Sequence, residues 1–198
     1  MYDIEIKNAI IIDGLGKEPY SGNLYVKDGK IIAITNGESF DADISIDATG
    51  KVVTPGFIDL HTHSDISFLL DSTAQSKVRQ GVTLELIGNC GLSLCAPLIG
   101  DAREMFDTWV SDHTDSYDPY WTDYAGYIDA SKKAKATVNI AFQIGHASLR
   151  LAVMGQEDRP PTADELTEMK RLAGESMDSG ALGFSTGLFY APGYYART

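Results

Sequence analysis

The chain has four histidines in 198 residues, and two of them stand one residue apart in PGFIDLHTHSD, residues 55–65. Side chains two positions apart on an extended strand face the same way. Asp59, His61 and His63 are therefore expected on one face, with Asp65 extending the series if the strand continues. Two neutral imidazoles projecting together can grip one divalent metal ion. The competing reading is a pair of surface histidines on a loop. The apolar run ahead of them, introduced by Pro55-Gly56, favours a buried strand that ends at a metal. Cys90 closes a second apolar run, in LIGNCGLS. A thiolate is a strong zinc ligand, and a nearby metal keeps it deprotonated. The alternative is a small buried hydrophobe, as free cysteine usually is. Position favours Cys90 as ligand, whereas Cys95, in SLCAP with no polar partner in its own stretch, is expected to be packing.

Three further groups carry chemistry-bearing side chains. His146, Ser148 and Arg150 follow a third apolar run in IGHASLR, where a histidine and an arginine in a loop suit contact with an anionic substrate. A backbone-bonded histidine with an arginine in a surface ion pair explains them equally well, and both readings stay open. Ser185, Thr186 and Tyr190 lie in STGLFYAPG, a stretch whose glycines and proline imply a shaped loop. His113, among acidic residues in VSDHTDSYD, is expected to be solvent-exposed. Gly183-Phe184-Ser185-Thr186-Gly187 fits the nucleophile-elbow pattern literally, but that motif needs a later histidine and acid, and no histidine follows Gly187. No GxGxxG follows a strand, and no phosphate-cradling Walker loop is present.

The elements that must position these residues fall into two groups. Residues 1–54 read as short strands, DIEIKNAIIID, GNLYVKDGKIIAI and ADISIDATGKVV, with a hairpin signal at Asp28-Gly29. They form part of a small β-module. Residues 55–198 alternate strand and helix: FIDLHTH, then a helical stretch DISFLLDSTAQSKVRQG closed by Gly81, then VTLELIGN. Helical patches over 101–135, the strand ATVNIAFQIGH, a helix after Thr162 and the strand ALGFSTGLF complete the pattern. Thr162 is an N-cap with Glu165 in the reciprocal capping position. The helix it starts places Leu166, Met169, Leu172 or Ala173, and Met177 on one face. Near-continuous apolar strands alternating with helices indicate parallel β/α units. The fold class is α/β: the first four β/α units of a TIM-type (β/α)8 barrel. A closed barrel needs about 250 residues, so the chain is expected to supply about half of one.

Composition is that of an ordinary globular protein, 43% hydrophobic and 22% charged. The net charge of -12 disfavours nucleic acid and anionic membrane surfaces as partners. No apolar run reaches the length of a membrane span. The N-terminus lacks the basic and apolar regions of a signal peptide. Two cysteines are too few for a disulfide scaffold, and a reducing cytoplasm is the expected location.

PGFIDLHTHSD, GVTLELIGNCGLS, IGHASLR and GALGFSTGLFYAPG occur in the order found in the amidohydrolase superfamily. The chain resembles, more narrowly, the N-acyl-D-amino-acid deacylases (D-aminoacylases). The paired histidines are shared across the superfamily, and the GNCG motif narrows the choice. Dihydroorotases and hydantoinases commonly use a carboxylated lysine on the fourth strand, and ALGFSTGL has no lysine. The resemblance implies zinc-dependent hydrolysis of the amide bond of an N-acyl-D-amino acid, with His61, His63 and Cys90 as ligands of Zn2+. It implies that residues 1–54 are the N-terminal part of a small β-sandwich domain. It places His146, Arg150 and Tyr190 in the substrate pocket. In the family, later strands add two more histidine ligands and a general-base aspartate, and no histidine follows His146 here. The chain is therefore expected to be an N-terminal half with little or no activity alone. The alternative is a non-catalytic half-barrel that pairs with itself, as a homo-oligomer, or with a complementary C-terminal half.

Overall fold

The computed structural model describes residues 1–94, 97–111 and 120–196. Cys95 and His113 lie outside the described residues. Two compact units follow one another, Met1–Gly56 and Phe57–Thr198.

The first unit is a sheet of β1 (Tyr2–Ile11), β2 (Tyr20–Lys27), β3 (Lys30–Thr35) and β4 (Ala42–Asp47) in the order β3-β2-β1-β4, with β5 (Val52–Val53) also on β1. β1 pairs antiparallel with β2 and parallel with β4 and β5. The β2–β3 turn is Asp28-Gly29, both residues at positive φ (50° and 71°), the backbone that suits the twist of a two-residue hairpin. Inside the sheet lies a buried carboxylate, Glu5. It accepts hydroxyl hydrogen bonds from Ser39 at 2.6 Å, Tyr25 at 2.7 Å and Ser45 at 2.8 Å. These donors, Ser39 foremost, lower its pKa below the ordinary glutamate value.

The second unit is built on four parallel strands in the order β6 (Phe57–Asp59), β7 (Val82–Ile87), β8 (Asn139–Gly145) and β9 (Gly183–Ser185). Its helices are α1 (Ser67–Leu70), α2 (Gln75–Val78), α3 (Asp101–Ser111), α4 (Tyr124–Ala134), α5 (His146–Met154) and α6 (Ala163–Asp178). Chain-order strand neighbours joined through helices are the parallel half-barrel that the sequence pattern implies. Ile87 and Phe142 from the sheet pack into a buried cluster with Phe68, Phe106, Trp121, Tyr124 and Tyr127. Tyr127 stacks edge-on against Phe142 at 5.4 Å and against Trp121 at 5.2 Å. Its hydroxyl donates to the Asp65 carbonyl at 2.5 Å, so the aromatic core fixes the chain just past the histidine pair.

Several expectations need correction. Strand β6 ends at Asp59, so His61 and His63 stand beyond the regular strand. The stretch after them forms two one-turn helices rather than one helix. Asp71 interrupts it, accepting hydrogen bonds from the Thr73 N–H at 3.0 Å and hydroxyl at 2.6 Å, a local alternative to helix. The capping box of α6 is present, with Thr162 and Glu165 bonded reciprocally. Its buried face is narrower than expected: Met169 is buried, but Leu166 and Met177 are 41% and 43% exposed. His146 and Arg150 belong to α5, not to a loop. Among the described residues, no helix is long and apolar enough to cross a membrane.

Candidate metal centre

The carboxyl ends of β6 and β7 bring His61, His63 and Cys90 together, with their ligand atoms all within 4.8 Å of one another. His61 Nε2 lies 3.1 Å from Cys90 Sγ, and the two imidazoles stand edge-on with centroids 5.6 Å apart. Two nitrogens and a sulfur are donors of the type zinc prefers. Both histidines are exposed and Cys90 is half-buried, so the donors remain open to solvent. Burial lowers the His63 pKa, and the neighbouring His61 lowers it further. Both effects favour the neutral imidazole that a metal needs.

Asp59 and Asp65 do not join this set. The Asp59 carboxylate binds Lys77 of α2 at 2.6 Å and accepts the His61 N–H at 3.2 Å. It thereby holds the His61 backbone while its charge is paired with Lys77. Asp65 is buried, with Oδ1 accepting from the Leu94 N–H at 3.3 Å. Burial pushes its pKa up to about 6.

Cys90 is held by its backbone. It sits at φ 58° between Gly88 and Gly91, both at φ 77°, a tight left-handed turn at the strand end. Asn89 braces that turn, a residue whose role the sequence reading missed. Its amide donates to the carbonyls of Leu86 at 2.7 Å and Thr62 at 3.2 Å, and its Oδ1 accepts from Gln143 at 3.1 Å. One buried side chain thus ties together the ends of β6, β7 and β8. An asparagine beside a ligand candidate, with glycine on either side of the pair, was the available signal.

The segment after β9 clamps the same turn. Ser185 Oγ accepts the Gly91 N–H at 3.0 Å and donates to the Gly88 carbonyl. Its hydroxyl is occupied by structure, which removes the nucleophile reading of GFSTG. Tyr190 donates its hydroxyl to the Cys90 carbonyl at 2.9 Å. The Cys90 side chain first, and then burial, push the Tyr190 pKa up to about 12, so the phenol keeps its proton. Gly187 is required by this approach, because a Cβ there would lie 2.2 Å from the Cys90 carbonyl oxygen. His146 lies on the β9 side of this cluster, its Nδ1 3.3 Å from Thr186 Oγ1. Its pKa is lowered by burial and then by Arg150. Arg150 is turned elsewhere: it is buried, and its guanidinium donates to the carbonyls of Glu157 and Arg159, both at 3.2 Å.

Residues 45–196 match the model of the amidohydrolase family. The chain belongs to the amidohydrolase family. Among curated relatives of this amidohydrolase, a D-aminoacylase from Alcaligenes xylosoxydans xylosoxydans is 39% identical over 100% of the chain and 40% of its own length. The solved N-acyl-D-glutamate deacylase of Bordetella bronchiseptica, complexed with zinc and a phosphonate inhibitor, is 36% identical with a TM-score of 0.84. It matches 99% of the chain and 40% of its own. A solved D-aminoacylase matches the whole chain and 41% of its own at a TM-score of 0.89 and 36% identity. The chain spans about two fifths of the length of the relatives it matches.

Proposed function

We propose that this chain provides the first three metal ligands of a zinc-dependent amidohydrolase that cleaves N-acyl-D-amino acids to a carboxylate and a D-amino acid. The observation that carries this reading is the convergence of His61, His63 and Cys90 at the ends of two adjacent parallel strands. Residues 1–54 act as part of a β-sandwich domain and residues 55–198 as the barrel domain, in a reducing cytoplasm that keeps Cys90 a thiol.

A bound zinc ion supplies Lewis acidity, which polarises a substrate carbonyl and eases removal of a proton from water. The chain's own residues prepare that site. His61 and His63 offer nitrogen lone pairs, and Cys90 offers its sulfur. Asn89, Ser185 and Tyr190 hold the turn that carries Cys90, which makes Tyr190 a positioning residue for the ligand. His146, neutral and half-buried, stands where an imidazole can hydrogen-bond the substrate. The pocket of Leu92, Leu94 and Met105 beside His63, about 180 Å³, suits an apolar part of that substrate. Arg150 supports α5 and does not face this substrate in its present bonding.

Metal analysis of the purified chain tests the proposal. One zinc per chain is expected, falling well below stoichiometry in Cys90→Ala. Equal zinc in both proteins would remove Cys90 from the site. A second reading rests on the edge strands β6 and β9, whose neighbourhood exposes Ile58, Leu60, Leu182 and Phe184. Apolar edges of this kind favour pairing with another surface, either a second copy or a complementary half-barrel. Sedimentation showing a monomer across micromolar concentrations would oppose the self-paired form.

A further inference from the structure

A cavity of about 270 Å³, whose lining includes none of His61, His63 and Cys90, is lined by Ser64, Ser67, Asp71, Gln75, Lys77 and Glu85, among others. Glu85 is only 2% exposed, and its Oε2 has no hydrogen-bond partner among the described residues. A buried carboxylate oxygen without a partner is costly and calls for a donor or a counter-charge. The cation in the same wall is already committed, because Lys77 Nζ binds Asp59 at 2.6 Å and Thr62 Oγ1 at 3.0 Å. Asp59 is the cross-strand neighbour of Glu85, so one lysine stands against two adjacent carboxylates. Asp71 adds a third acidic group at the exposed rim. Its Oδ1 is held by Thr73.

We propose that this cavity is a second cation site, separate from the His61–His63–Cys90 centre, that takes a hard divalent ion such as Ca2+ or Mg2+. Its donors are oxygens: the Glu85 carboxylate at the floor, Asp71 at the rim and the hydroxyls of Ser64 and Ser67. Oxygen donors select hard cations, while the nitrogen and sulfur of the first centre select zinc. The volume leaves room for the water that Mg2+ and Ca2+ retain. The acidic rim attracts such an ion, and the ion supplies the charge that Glu85 lacks.

The test is thermal unfolding of the full chain during a Ca2+ titration at constant ionic strength, repeated with Mg2+. The midpoint is expected to rise saturably, by roughly 5–10 °C at a hundredfold excess over the dissociation constant. Glu85→Gln keeps the shape, removes the unpaired charge and is expected to abolish the rise. Asp71→Asn is expected to shift the titration to several-fold higher Ca2+. Cys90→Ala, which disables the zinc centre, is expected to leave the rise intact, so the two sites fail independently. No saturable rise in the unaltered chain, an equal rise in Glu85→Gln, or a rise lost only in Cys90→Ala would each overturn the proposal.

Discussion

Glu5 in the first unit and the His61–His63–Cys90 cluster in the second place reactive groups at close range in opposite ways. Glu5 is buried and answered, with three hydroxyls delivering hydrogen bonds to its two oxygens. The cluster is open, with donors that converge on a common point and face solvent. The support around the cluster is spent on backbone, through Asn89, Ser185 and Tyr190, and leaves the ligand atoms available. A closed network of this kind stabilises a fold, whereas convergent donors held from behind prepare for a ligand. Glu85 shares the burial of Glu5 without its partners, which is why the two glutamates lead to different inferences.

The contrast can be broken by substitutions that exchange the two behaviours. His61→Ala should lower zinc affinity by at least about a hundredfold, more than the loss of a supporting group costs, with little change in urea stability of the metal-free chain. Glu5→Ala should do the reverse. It removes the acceptor of three hydroxyls, of which the buried one, Tyr25, keeps the Glu38 carbonyl at 2.8 Å, and should cost about 2 kcal/mol in urea unfolding, with zinc binding unchanged. If Glu5→Ala weakens zinc binding as much as His61→Ala does, the two regions are not independent.

The pH dependence sharpens the same point. The folded-state pKa of Glu5 is lowered, so its contribution is complete above the unfolded value of about 4.3 and is lost as pH falls through the lower folded value. Glu5→Gln should flatten that part of the stability profile, and an unchanged acid slope would show that other carboxylates set it. Gly187→Ala forces a methyl group onto the Cys90 carbonyl and should cost about 2 kcal/mol while also weakening zinc binding. Stability lost with zinc binding intact would mean the turn does not position Cys90. The smallest effect is expected at Thr162→Ala, about 1 kcal/mol for a lost helix cap, with no effect on metal.

The parts of this molecule legible from sequence are those decided within a few residues. The Asp28-Gly29 hairpin, the Thr162–Glu165 capping box and the His61–His63 spacing are local patterns, and each appears in the fold. The place of Cys90 at a strand end was legible, and that place brings its sulfur to the two imidazoles. Asp59 was expected only to share a face with His61 and His63, and strand alternation cannot show that Lys77, 18 residues later, claims its carboxylate. Arg150 was expected in a loop but lies in α5, and the local pattern could not show that carbonyls from the turn after that helix bind it. The break between α1 and α2 had a local cue in Asp71-Ser72-Thr73, which the apolar periodicity around it concealed. The requirement for glycine at 187 depends on a carbonyl 97 positions earlier, and such a close approach leaves no mark in local sequence.

The central claim is that His61, His63 and Cys90 hold one zinc ion together. X-ray absorption at the zinc edge of the metal-loaded chain tests it most directly. The account predicts one sulfur neighbour at about 2.3 Å and at least two nitrogen neighbours at about 2.0–2.1 Å, with the sulfur signal lost in Cys90→Ala. A zinc shell of nitrogen and oxygen alone, unchanged by that substitution, would contradict it.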